Sequence, residues 1–325
     1  MLFGEYKFTC RLETDAELPY YKGSTFRGVF GRALKKIVCA LKQQECENCL
    51  LNSRCVYALI FETPVAASSK DSRMAAPPHP FVIEPPLTNR RHFTAGNCFD
   101  FSLLLFGDAN NYLPYFIYAF EQMGKIGIGK KINHKRGRFV LEAVQTNNGV
   151  IYTSADQKLN MNGNPENLNL QLPKNPQNKN HRLTLTLQTP LRLKFDNRLQ
   201  AALPFHVLVR AMLRRISSLM NTYDDGEPDL DYPGLVKKAE QVGIVENNLQ
   251  WYDWQRYSFR QDEKMLMGGM TGSVTYESDI SEYLPLLEFC EKVHLGKQTA
   301  FGLGKIQFER HQSSARQQTV YGASS

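Results

Sequence analysis

Three histidines lie next to glycine-rich or arginine-rich segments, and histidine can give or take a proton near neutral pH. His294 stands just before GKQTAFGLGK at 296–305, His206 begins an arginine-bearing segment, and His134 lies within GKIGIGKKINHKRGR at 124–138. We rank His294 first, His206 second and His134 third as candidate general acids or bases. Packing, capping and phosphate-contact roles are the alternatives.

The two glycine-rich segments also carry many cations, and 124–138 contains no acidic residue. Glycine lets backbone N–H groups approach a phosphate closely, and Lys or Arg neutralises its charge. The pattern predicts nucleic-acid contacts, with a tight helix-to-strand connection as the alternative. Phe301 either stacks on a base or anchors its segment in the core. The candidates are Lys130, Lys131, Lys135, Arg136, Gly296, Phe301, Gly302, Gly304 and Lys305.

A second group of cations lies in the C-terminal half. Arg210 and Arg214 are four residues apart and share a face of a predicted helix. Arg256 and Arg260 point to one side if WQRYSFRQ is a strand. Aromatic residues interleave with this second pair, which suits base stacking beside phosphate contacts; buried aromatics and arginines paired with acids are the alternative. These aromatics are Trp251, Trp254 and Tyr257.

Four cysteines fall within 17 residues in the pattern C-x6-C-x2-C-x5-C. They are Cys39, Cys46, Cys49 and Cys55. Four thiolates predict a closed, structural zinc site with no position for a catalytic water. Iron–sulfur ligation and free thiols are the alternatives. No dinucleotide fingerprint or phosphate-binding GxxxxGK[ST] loop occurs, so we expect no nucleotide cofactor.

The composition indicates a globular protein of about two domains. The chain has 325 residues, 42% of them hydrophobic, and a formal charge of +7. That excess alone does not separate a nucleic-acid binder from a basic enzyme. No stretch approaches the ~18 apolar residues of a membrane helix, and we identify no signal peptide, so we expect a cytoplasmic protein.

The two halves of the chain resemble each other. YLPYFIYAFEQM at 112–123 and YLPLLEFCEKV at 283–293 both predict amphipathic helices that lead into a glycine-rich loop and a strand. In this comparison Gly127 and Gly129 stand opposite Gly302 and Gly304. Each half predicts strand–helix–strands–helix–strand, an α+β order that suits a split βαβ, ferredoxin-like unit.

We place an N-terminal domain with a cysteine insertion at 1–145 and a C-terminal, RNA-binding domain at 181–312. Residues 146–180 are rich in Asn, Gln, Gly and Pro, which predicts a surface excursion and linker. The Ser- and Gln-rich residues 313–325 predict a disordered tail. The first long helix is expected to open near Phe26, capped by Ser24 or Thr25.

The chain resembles the CRISPR-associated endoribonucleases, the Cas-six family of the RAMP superfamily. The resemblance rests on GSTFRGVFGRALKKIVC, CVYALIFETP, PLRLK, HVLVRAMLRRISSL, WQRYSFRQ, MGGMTGSVTY and HLGKQTAFGLGKI. It implies two RRM-like, ferredoxin-like domains in tandem and a C-terminal glycine-rich loop that contacts repeat RNA. It also implies metal-independent cleavage of precursor CRISPR RNA, which leaves 5′-OH and 2′,3′-cyclic phosphate ends, and CRISPR effector subunits as further partners.

The resemblance also bears on the catalytic residues. Family members often carry a histidine in or beside the first helix of the N-terminal domain, and residues 14–38 contain none. Tyr21 and Lys297 therefore join the catalytic candidates, and Lys22 and Arg27 join the RNA-binding ones. A non-catalytic RNA-binding subunit of a CRISPR effector complex is the main alternative, and a zinc-dependent DNA-binding protein is a third.

Overall fold

The two halves of the chain form two α+β units with the same strand order. The computed structural model describes residues 1–42, 45–62, 77–160, 165–173, 181–193, 201–258 and 263–312. For residues 255–258, 263–266 and 312, only the backbone is described. No helix among the described residues is long and apolar enough to cross a membrane.

The N-terminal unit is built on a sheet whose strands run in the order β3-β5-β1-β8-β9, with β10 paired to the start of β1. This order, with a helix after β1 and another after β5, is the predicted ferredoxin-like arrangement. Its elements are β1 (Leu2–Leu12), β2 (Ala16–Glu17), α1 (Gly23–Val38), β3 (Phe81–Glu84), β4 (His92–Phe93), β5 (Cys98–Phe106), α2 (Leu113–Ile126), β6 (Ile128–Ile132), β7 (Lys135–Gly137), β8 (Phe139–Thr146), β9 (Gly149–Thr153) and β10 (Glu166–Asn167).

The C-terminal unit repeats the arrangement with the strand order β12-β14-β11-β15, and β13 also pairs with β14. The tandem ferredoxin-like fold is therefore confirmed. Sequence periodicity did not indicate α4 or β12. The elements are β11 (His181–Leu191), α3 (Phe205–Tyr223), α4 (Tyr232–Ala239), β12 (Gly243–Asn247), β13 (Gln250–Ser258), β14 (Glu263–Ser278), α5 (Leu284–Val293) and β15 (Ile306–Gln312).

The central N-terminal sheet is buried on both faces at one end. Side chains alternate along a strand, so Phe101, Leu103 and Leu105 of β5 face the helices. Leu104 and Phe106 of the same strand pack into the core of the C-terminal unit instead. The two units therefore share apolar surface, which opposes independent domain motion.

The helix α1 begins three residues earlier than expected. It opens at Gly23 with Lys22 in the capping position, and no side chain caps it. The Lys22 side chain is fully buried, and its Nζ donates to the carbonyl oxygens of Tyr20, at 3.1 Å, and Thr88. This tether fixes the start of the helix where Ser24 or Thr25 was expected to do so.

Residues 128–137 of the basic segment fold as a β-hairpin in a small second sheet of order β4-β2-β6-β7, and residues 124–126 end α2. Ile132 pairs with Lys135, and both turn residues have positive φ, 49° at Asn133 and 63° at His134. A two-residue turn with positive φ at both positions matches the twist of the strands that it connects. The segment thus presents its cations on a hairpin rather than on an open loop.

The structure also changes the alignment of the internal repeat. Residues 127–130 follow α2 as residues 294–297 follow α5, so Gly-Ile-Gly-Lys corresponds to His-Leu-Gly-Lys. Ile128 pairs with Gly137, and Leu295 N–H donates to Gly304 O at 2.9 Å. The sequence comparison of Gly127 and Gly129 with Gly302 and Gly304 was therefore wrong in register.

The excursion predicted at 146–180 adds structure to the N-terminal sheet. It contains β9, which pairs with β8, and β10, which pairs with β1. Residues 161–164 and 174–180 lie outside the described residues, as does the tail at 313–325.

Candidate functional site

The C-terminal glycine-rich loop packs against the N-terminal unit and forms a seam between the two domains. Phe301 is 8% exposed, and its carbonyl oxygen accepts a hydrogen bond from the Tyr21 hydroxyl at 2.6 Å. The Arg27 guanidinium lies 4.5 Å from the Phe301 ring centroid, within cation–π distance. Phe301 therefore anchors the loop, which was one of its two predicted roles.

Glu84, at the end of β3, bridges two residues of the C-terminal unit. Its Oε1 lies 2.7 Å from His294 Nε2, and its Oε2 accepts from Lys305 Nζ at 2.9 Å. Burial raises the pKa of Glu84, but the hydrogen bond and charge of His294, together with Lys305, outweigh it and hold the pKa at about 2. Lys305 thus neutralises a buried carboxylate of the other domain.

His294 is enclosed on every side. It is 0% exposed, and its Nδ1 lies 3.0 Å from the carbonyl oxygen of Leu303. Each ring nitrogen lies within hydrogen-bond distance of an oxygen that can accept. Neither nitrogen is open to a ribose hydroxyl. These contacts favour a positioning role for His294 over the catalytic role predicted for it.

The backbone at His294 is also unusual. Its φ of 60° and ψ of 157° lie in a region that glycine normally occupies. Arg215 donates to Val293 O at 2.8 Å and to His294 O at 3.2 Å, and so holds the end of α5. Burial lowers the pKa of Arg215 to about 10.

The glycines of this loop are required by close backbone packing. A Cβ at Gly302 would lie 2.4 Å from Ile83 O, and one at Gly304 would lie 1.7 Å from Leu295 O. A Cβ at Gly296 would lie 2.7 Å from Arg192 O. These glycines face protein backbone, which supports the alternative of a tight connection over that of a phosphate cradle.

A histidine does lie beside the first helix, although it comes from a distant segment. His79 Nε2 is 3.1 Å from the Arg27 guanidinium of α1. Burial, and then the charge of Arg27, lowers the pKa of His79 to about 4. No local spacing could reveal this contact, because the two residues are 52 positions apart.

Two further RNA-binding candidates, one just before α1 and one within it, are directed inward. Lys22 is buried on backbone carbonyls, and burial lowers its pKa. Arg27 is partly buried between the rings of Phe301 and Phe61, 5.1 Å from the latter. For Lys22 the structure contradicts an exposed phosphate contact, because no part of the side chain reaches the surface.

Several predicted cations are exposed. Lys130, Lys131, His134 and Lys135 lie on the surface of the β6–β7 hairpin, and Lys297 is exposed on the glycine-rich loop. Arg136 is partly buried and donates to Gly129 O within the hairpin.

The arginines of α3 lie on a different surface. Arg210 and Arg214 are exposed and line a groove against Tyr232 and Val236 of α4. His206 is partly buried in the first turn of α3. Arg256 occupies β13, opposite Met265, with its side chain outside the described residues, and Arg260 lies outside them altogether.

The four cysteines do not form a ligand set. Across the described parts of the chain, which omit 43–44, no three Cys, His, Asp or Glu side chains are grouped closely enough to hold a metal ion. Lys35 forms a hydrogen bond with Cys46, and Cys55 is near enough to raise the pKa of Cys46. Burial is the largest cause of that rise. The arrangement of the described cysteines does not fit the predicted zinc site.

Comparison with known families extends over both units. Residues 1–164 match the AF_1859_N family, described as an N-terminal domain, and residues 185–306 match the CRISPR-associated endoribonuclease Cas6. The chain belongs to the AF_1859_N family, whose model covers half of it. The Cas6 match over residues 185–306 confirms the resemblance found in the sequence. The chain also has a relative in an archaeon. An uncharacterized protein of Archaeoglobus fulgidus is 26% identical over 295 residues, 88% of this chain and 91% of the relative.

Solved structures share the fold of this chain. Thermus thermophilus Cas6 superposes with a TM-score of 0.52 at 13% identity, over 95% of this chain and 98% of that one. A chain of a partial Cas6-RT-Cas1–Cas2 complex gives a TM-score of 0.57 at 14% identity, over 97% of this chain. Our chain spans 47% of that relative's length. At these identities the likeness shows the fold alone.

Proposed function

We propose that this protein is an endoribonuclease that cleaves the repeat RNA of precursor CRISPR transcripts to give mature guide RNA. The observation that carries the proposal is the match of residues 185–306 to the Cas6 endoribonuclease family. The tandem fold supports it, because one face of such sheets commonly binds single-stranded RNA. Solved relatives include a Cas6 product complex.

The proposed reaction is attack of a ribose 2′-OH on the adjacent phosphate, which expels the 5′-oxygen. The products are a 2′,3′-cyclic phosphate and a 5′-OH, and no metal is needed. The step requires a base, an acid and cations near the phosphorane. Among the candidates, His134 and Lys297 are exposed, so RNA can reach them.

Tyr21 has a different part in this proposal. Its hydroxyl donates to Phe301 O, and burial raises its pKa well above the ordinary value. It holds the glycine-rich loop in place for the substrate. His294 acts in the same way through Glu84. Both are positioning residues rather than proton carriers.

The test is incubation of the pure protein with labelled repeat RNA in EDTA. We expect one discrete cut with a cyclic phosphate end. His134→Ala, Lys297→Ala and His206→Ala are compared in single-turnover reactions at saturating protein, so that loss of affinity is separated from loss of rate. Tight binding of repeat RNA without any cut would overturn the proposed nuclease activity.

A non-catalytic RNA-binding subunit of a CRISPR effector complex is the second candidate. The enclosure of His294 and the depressed pKa of His79 favour it, because neither is suited to proton transfer at neutral pH. The same assay separates the two functions. Binding without cleavage, together with co-purification of effector subunits, would favour the second.

A further inference from the structure

A ladder of three aromatic rings crosses the seam between the domains. The Tyr21 ring centroid lies 5.4 Å from that of Trp254 on β13, and the Trp254 centroid lies 5.6 Å from that of Tyr252. The Tyr252 and Trp254 planes are inclined by 27°, close to parallel stacking. The ladder runs from a partly buried ring in the N-terminal unit to an exposed ring in the C-terminal unit.

The outer end of this ladder is open. Tyr252 is 45% exposed, and the residue directly opposite it on β14 is Gly269. A side chain at that position would stand beside the tyrosine, since opposite residues of antiparallel strands have neighbouring Cβ atoms. Gly269 cannot cover the ring. Trp251 has a different environment, because it packs against the C-terminal core.

Backbone contacts connect Lys297 to the strand position opposite Tyr252. A Cβ at Gly269 would be 3.0 Å from Leu191 O, and the next carbonyl, that of Arg192, accepts from Lys297 N–H at 3.0 Å. Lys297 is exposed, and its backbone is bonded to Arg192, the residue after the one that packs on Gly269. An aromatic face next to an ammonium group is the combination that binds one base and its phosphate.

We propose that Tyr252, backed by Trp254, is a stacking platform for one nucleobase of single-stranded RNA, with Lys297 beside the adjacent phosphate. This inference rests on the proposed RNA-binding function and adds to it the position of one unpaired nucleotide. Stacking tolerates any base, because every base has a π-face. The platform thus fixes where the strand runs across the seam rather than which base is read.

The experiment compares Tyr252→Ala and Tyr252→Phe with Tyr118→Ala. Tyr118 is a matched control, since it is 50% exposed on α2 and has no part in the ladder. Affinity for repeat RNA is measured by fluorescence anisotropy. We expect Tyr252→Ala to weaken binding about 5-fold to about 100-fold, and both other variants to bind as the wild type does. Tyr252→Phe keeps the ring and loses only the hydroxyl.

A set of RNAs, each with one abasic nucleotide, locates the contact. For the wild type, removal of the base at one position should weaken binding. For Tyr252→Ala, removal of the same base should weaken binding no further, because the ring on which that base would stack is already absent. If Tyr252→Ala binds intact RNA as tightly as the wild type, or if no abasic position couples to it, the platform is wrong while RNA binding stands. If the wild type neither binds nor cuts repeat RNA, the proposed function itself fails.

Discussion

His294 Nε2 and Glu84 Oε1 lie 2.7 Å apart, and this contact joins two residues that are 210 positions apart in the chain. His294 lies between α5 and the glycine-rich loop, and Glu84 ends the edge strand of the N-terminal sheet. Since His294 is fully buried and the Glu84 side chain is only 11% exposed, the pair is a fixed joint between the domains rather than a surface ion pair. The position of the candidate RNA site relative to the N-terminal unit depends on it.

Removal of Glu84 should destabilise the protein strongly. Glu84→Ala leaves His294 and Lys305 without their acceptor, and breaking a buried pair costs about 3–5 kcal/mol of unfolding free energy. Urea unfolding followed by circular dichroism measures the loss. Asp100→Ala is the control, because Asp100 pairs with Lys7 on the surface, where such pairs contribute ~0–1 kcal/mol. If the two substitutions lower the unfolding free energy equally, Glu84 does not act as a buried joint between the domains.

Glu84 should also shape the acid side of the stability profile. Its pKa is about 2 in the folded protein, below the ordinary 4.5, so the folded state favours the ionised form. The stabilisation is fully present above pH 4.5 and is lost as the pH falls toward about 2. Urea midpoints measured through this window should fall less steeply for Glu84→Gln. If the urea midpoint of the variant falls with pH as steeply as that of the wild type, other carboxyl groups cause the loss of stability in acid.

His79 should affect the stability of the protein in a separate, higher range of pH. Its folded pKa of about 4 lies below the ordinary 6.5, so the unfolded chain binds a proton more readily. The resulting stabilisation is present above pH 6.5 and declines as the pH falls to about 4. His79→Phe should flatten this decline in thermal melts. A profile identical to that of His92→Phe, in which an exposed histidine is replaced, would refute the assignment.

The exposed hairpin should contribute to RNA affinity through charge alone. Replacing both Lys130 and Lys131 with Ala should weaken binding at low salt. It should also reduce the slope of log K against log salt by about 1.4, since each single-strand phosphate contact contributes ~0.7. Lys158→Ala is the control, an exposed lysine on another loop. A parallel shift at every salt concentration would argue that the hairpin does not contact phosphates.

Local sequence patterns were enough to predict the two ferredoxin-like units. The apolar periodicity of α2, α3 and α5 and the alternation in β1 and β11 depend on neighbours a few residues away, so the sequence displays them directly. The same reasoning could not predict that the glycine-rich loop is covered by protein. Its covering residues, Tyr21 and Glu84, lie more than 200 positions upstream.

The aromatic ladder shows the same limit of prediction from local sequence patterns. The interleaving of aromatics with Arg256 predicted stacking by Trp251, Trp254 and Tyr257. In the structure Trp251 packs against the core and Tyr252 is the exposed ring. Alternation indicates which residues share a face of β13. Only the position of the N-terminal unit, through Tyr21, decides which face lies at the seam.

The residue after the second helix differs between the two units, although its backbone conformation is nearly the same. In the N-terminal unit this residue is Gly127, with φ 82° and ψ 157°, and in the C-terminal unit it is His294, with φ 60° and ψ 157°. Glycine adopts these angles without strain, whereas another residue there costs about 1–3 kcal/mol. The contact of the His294 ring with Glu84 offsets that cost, so the backbone at the end of α5 depends on the presence of the N-terminal unit.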